Sequence, residues 1–66
     1  METNDMTKAN QYPYTVTNVY GIRGESKHRT PEAAYIAARK REGEGWVVVD
    51  RDGNRWTMYG DRAIRL

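Results

Sequence analysis

Residues 12–23 alternate with the period of two expected of an extended chain. Tyr12, Tyr14 and Val16 share one face, and Thr15 and Thr17 share the other. Val19, Tyr20 and Ile22 cannot all keep the inward phase. The pattern therefore predicts either a bulge at Asn18, which shifts the register by one, or a bend at Gly21. Pro13 has no amide to donate, so the start of this strand is expected at an edge or unpaired. Residues 24–29 read as a charged loop.

A helix is predicted to start at Thr30, whose hydroxyl can accept from the free amides of the first turn. Pro31 suits the first helical position and Glu32 the positive end of the helix dipole. The helix is expected to run to Arg39, Lys40 and Arg41, whose cations suit its negative end, and to stop at Gly43. Its apolar stripe reads as Ala33, Ile36 and Ala37, with Glu32, Tyr35, Arg39 and Glu42 on the solvated side.

Residues 46–50 form the clearest strand, and Asp52-Gly53 separates it from a second one at 55–59, a strong hairpin signal. Residues 62–66 can add a short last strand, with Ile64 and Leu66 alternating inward. A two-residue turn at Asp52-Gly53 pairs Asp50 with Arg55, Val49 with Trp56, and Trp46 with Tyr59. It puts Val47, Val49, Trp56 and Met58 under the helix. Trp46, Val48, Arg55 and Tyr59 then lie on the uncovered side as the candidate protein-binding residues. A second reading stays open, in which Trp46 and Tyr59 pack on each other or under the tail or the last strand. A longer loop would move all of these assignments.

The elements define an α+β domain over residues 12–66. Its expected form is a small single-layer antiparallel sheet of three to four strands, in the order β-α-β-β with a short extra C-terminal strand, and one helix on one face. Residues 1–11 show neither period and read as a disordered or loosely held tail.

Composition narrows the function. The 66 residues contain no cysteine and one histidine, which argues against a disulfide scaffold, a cysteine zinc site and a histidine-rich metal site. No apolar run approaches the ~20 residues of a membrane helix, and the polar, acidic N-terminus does not resemble a signal peptide. A cytoplasmic protein without a membrane partner or cofactor is expected. The chain carries 11 Lys and Arg against 9 Asp and Glu. The basic excess lies in residues 23–41, where Arg23, Lys27, Arg29, Arg39, Lys40 and Arg41 outnumber Glu25 and Glu32. These six are the candidate phosphate contacts if the partner is nucleic acid.

Catalysis has little support. His28 reads as a lone histidine in a charged loop. Asp50, Asp52 and Asn54 lack the downstream ligand spacing and closing glutamate of a calcium loop. No nucleophile and base share a recognisable spacing.

In size and layout, the strand, the helix opening Thr30-Pro31-Glu32-Ala33-Ala34 and the hairpin turn Asp52-Gly53-Asn54-Arg55-Trp56 resemble small phage-encoded inhibitor proteins of the anti-CRISPR type. The resemblance spans residues 12–59 and carries over no individual functional position. It implies a compact, non-catalytic protein that blocks or redirects a larger host complex, often a nucleic-acid-binding one, in the host cytoplasm. The expectation is thus a small inhibitor or adaptor docking on a protein or nucleoprotein complex. The alternative is a basic nucleic-acid-binding module. Monomer and homodimer both stay open.

Overall fold

Short, β-branched and aromatic segments separated by glycine turns build most of the described chain, and an alanine-rich helix covers one face of what they form. The computed structural model describes residues 11–66. The tail expected over residues 1–11 lies outside them, apart from Gln11. The elements are β1 (Tyr14–Asn18), β2 (Ser26–His28), α1 (Pro31–Arg39), β3 (Trp46–Val49), β4 (Arg55–Tyr59) and β5 (Arg62–Arg65). The strands make one five-stranded antiparallel sheet in the order β2-β1-β3-β4-β5.

The α+β class and the single layer match the sequence reading, with five strands instead of three to four. The extra strand is β2, inside the segment expected to be a charged loop. Ser26, Lys27 and His28 have no strong strand preference. They become a strand because β1 offers them a ladder, Val16 opposite Ser26 and Tyr14 opposite His28. β1 ends at Asn18, and of the two alternatives foreseen there the chain takes the turn at Gly21, with φ 81°. Asn18 is buried and fully engaged. Its Nδ2 donates to Glu44 O at 3.0 Å, and its Oδ1 accepts from the Tyr20 amide at 2.8 Å.

Thr30 caps α1 as expected, accepting from the Ala33 amide at 3.1 Å, with Pro31 in the first turn. The helix stops at Arg39 with Lys40 as its C-cap, two residues before Arg41. The buried stripe is Ala34 and Ala38, flanked by Tyr35 and Ala37, and not Ala33-Ile36-Ala37. Ile36 is 52% exposed. Four alanines at 33, 34, 37 and 38 make two adjacent helix faces almost equally apolar, so periodicity alone does not choose between them. The sheet chooses Ala34 and Ala38, whose small side chains sit directly against Val16 and Val48.

The hairpin also departs from the expected register. β3 and β4 pair Val49 with Arg55 and Val48 with Trp56, one residue off the two-residue turn. Asp50 N donates to Asn54 O at 2.9 Å and Gly53 N to Asp50 O at 3.0 Å, closing a three-residue loop. Only Gly53 in it has positive φ, at 85°. This is a type I turn followed by a left-handed residue, the other hairpin that an Asp-Gly pair supports. The Asp50 side chain selects it. Oδ1 accepts from the amides of Asp52 and Asn54, both at 2.9 Å, which holds the backbone in the type I shape.

Candidate docking site

One residue of register reverses the faces of β3 relative to β4. Trp46 and Val48 join Trp56 and Met58 beneath the helix, while Val47 and Val49 face outward. The two indoles therefore lie on the same, covered side of the sheet. Of the four residues expected on the uncovered side, Val48 is instead core, 1% exposed. Trp46 packs against the core cluster. Arg55 and Tyr59 are on the open side, Tyr59 77% exposed. The Asp50–Arg55 cross-strand pair does not form, because Arg55 lies opposite Val49.

Both tryptophans are held by specific partners. The Trp46 indole donates from Nε1 to Glu42 O at 3.1 Å, and the Arg41 guanidinium lies 5.1 Å from its ring centre. Arg41 in turn donates to Gly24 O from Nε and Nη2 (3.0 and 2.6 Å), to Ser26 Oγ at 2.8 Å and to Ala37 O at 2.9 Å. Trp56 packs edge-on against Tyr14, with ring centres 5.5 Å apart, and donates from Nε1 to Asp50 Oδ2 at 2.9 Å. That indole bond, with the Asn54 and Asp52 amides, holds the Asp50 carboxyl below its usual pKa against a smaller opposing effect of desolvation.

His28 lies in β2 and is half-buried, not a loop residue in solvent. Its Nε2 is 2.7 Å from Ser26 Oγ. Burial first, then the nearby Arg41 charge, pushes its imidazole pKa down. The six cations expected to follow phosphates are divided by the fold. Arg41 is spent on the latch just described, and Arg29 stacks on the Tyr12 ring, 5.3 Å from its centre. Lys27 alternates onto the open face, 3.5 Å from Thr15 Oγ1. Arg39 and Lys40 are exposed at the end of α1, and Arg23 is exposed in the β1–β2 loop.

The remaining surface is the face of the sheet opposite α1, on which no described element packs. Strand alternation and the registers place Thr15 and Thr17 of β1, Val47 and Val49 of β3, Thr57 of β4 and Ile64 of β5 side by side there. Lys27, Arg55 and Arg62 surround this β-branched strip. Glu25 accepts from Thr17 Oγ1 at 2.7 Å beside it. Sequence reasoning placed Thr15 and Thr17 correctly but put Val47 and Val49 under the helix, because the face of β3 depends on the loop length. It also turned Ile64 and Leu66 inward, whereas pairing opposite Thr57 sets Ile64 on the open side, and the two are 42% and 73% exposed. A cleft of about 230 Å³ opens between the end of α1 and Trp46, lined among others by Tyr35 and Arg39.

Among the described residues, no group of three or more His, Asp or Glu side chains is placed to hold a metal ion, and no helix is long and apolar enough to cross a membrane. No protein-family model matches the chain, and neither a curated protein nor a solved structure matches it.

Proposed function

We propose that this chain is a non-enzymatic binding protein, an inhibitor or adaptor, that docks on a larger protein through the open face of its sheet. The observation that carries the reading is the strip of half-buried Val47 and Val49 and exposed Ile64 on the face of the sheet opposite α1, with Lys27, Arg55 and Arg62 around it and Glu25 beside it. An apolar centre with a polar rim is the common anatomy of a protein interface. Three cations against the one carboxylate of Glu25 on this rim suit an acidic partner surface and disfavour face-to-face packing of two copies. Tyr59 is the one aromatic ring that strand alternation puts on this face. Base recognition on a sheet relies on several stacked rings, so a protein partner is favoured over nucleic acid.

The test is capture from source cells with the wild-type chain, Val49→Glu on the open face and Ile36→Ala on the exposed helix. Partners retained by wild type and Ile36→Ala but lost with Val49→Glu support the reading. An identical set from all three counts against it. A salt-sensitive gel shift of DNA or RNA, abolished by Arg39→Glu with Lys40→Glu, would transfer the function to the nucleic-acid alternative.

A further inference from the structure

Antiparallel pairing turns alternate amides of a strand toward its neighbour and the others away. Leu66 N donates to Arg55 O at 2.8 Å, so the amides of Arg62, Ile64 and Leu66 face β4. Those of Ala63 and Arg65 point outward, and β5 is the last strand of the sheet. The outward Ala63 amide donates to Glu32 Oε2 at 3.2 Å. Glu32 belongs to the first turn of α1. A helix carboxylate thus occupies the place where the carbonyl of a sixth strand would accept.

The geometry points to the outer edge of β5 as a strand-addition site for an extended, acidic segment of a partner protein, with Glu32 as its built-in competitor. Edge strands present rows of backbone donors and acceptors that another chain can join. Charge decides the occupant. β5 carries Arg62 and Arg65 and no anion, so pairing two copies of it brings like charges together, whereas an acidic strand neutralises both. Glu32 already supplies one negative charge and one acceptor at this position, so an incoming acidic strand replaces its contact in kind. The inference does not depend on the open-face reading, because it rests on the outward backbone amides of β5 and the Glu32 contact, although the two surfaces share Arg62.

The experiment is an NMR titration of the ¹⁵N-labelled full chain with a short capped peptide of alternating glutamate and threonine, and with a lysine–threonine peptide as control. The acidic peptide is expected to shift the Ala63 and Arg65 amides, and Glu32→Ala to bind it roughly 3- to 10-fold tighter by removing the competing contact. Arg65→Glu should weaken it, and Val49→Glu should leave it unchanged, separating this site from the open face. The spectra themselves report whether each variant is folded. Absence of these shifts in folded Glu32→Ala, equal affinity in Glu32→Ala and wild type, or an equal response to the lysine peptide overturns the proposal.

Discussion

Arg41 joins three parts of the molecule through one guanidinium: the last turn of α1, the Gly24 carbonyl before β2, and the Trp46 ring on β3. A lysine keeps the charge but not the planar fork, so it cannot bond Gly24, Ser26 and Ala37 together. Arg41→Lys is expected to cost about 1–3 kcal/mol in denaturant unfolding and to red-shift Trp46 fluorescence; unchanged stability would mean the latch is decorative. Asp50 makes a pH prediction. Its carboxyl titrates below the ordinary 3.8 because the Trp56 indole and the loop amides favour the charged form. The unfolded chain therefore binds this proton first, so stability is intact above that value and is lost as pH falls through the folded pKa. Asp50→Asn should flatten that part of an acid-unfolding curve. His28 acts in the same direction at higher pH. Its folded pKa is lowered from 6.5, so stability falls as pH drops below that value, and His28→Gln should remove this slope between neutral and mildly acidic pH.

At the scale of elements, the helix opening was legible because Thr30-Pro31-Glu32 acts locally, through hydroxyl, ring and charge. The helix face was not, because four alanines carry little direction. The hairpin shows the same division. Asp52-Gly53 announced a reversal, yet two loop lengths satisfy it, and one residue decides which valines are inside. That register gives a direct check. Val48→Thr places a hydroxyl in a site that is 1% exposed and should cost roughly 1–3 kcal/mol, whereas Val47→Thr on the open face should cost less than about 1 kcal/mol. Equal costs measured in urea would contradict the observed faces. β2 escaped detection because its pairing comes from β1 and not from its own residues.

At the scale of the whole molecule, the nine-residue α1 covers one face of a five-stranded sheet, and no other described element lies on the opposite face. The fully buried core is small, with Val16 and Val48 its largest members, so Val16→Ala is expected to destabilise by about 2 kcal/mol in thermal or urea unfolding. The candidate site was half legible for the same geometric reason. Thr15 and Thr17 were set apart by strand period, and Arg55 and Tyr59 were placed outward by turning the apolar Trp56 and Met58 in, while Trp46 and Val48 were expected beside them from the turn length and lie under the helix. The amino-acid sequence by itself determined the α+β class, the cap of the helix, the position of the reversal and the two sides of β1, because these rest on contacts within a few residues. Only the tertiary structure decided which side of α1 and of β3 is buried, what Arg41 holds, and that Glu32 reaches the edge of β5. Each of those depends on residues far apart in the chain meeting at one register, and a single-residue shift exchanges inside for outside.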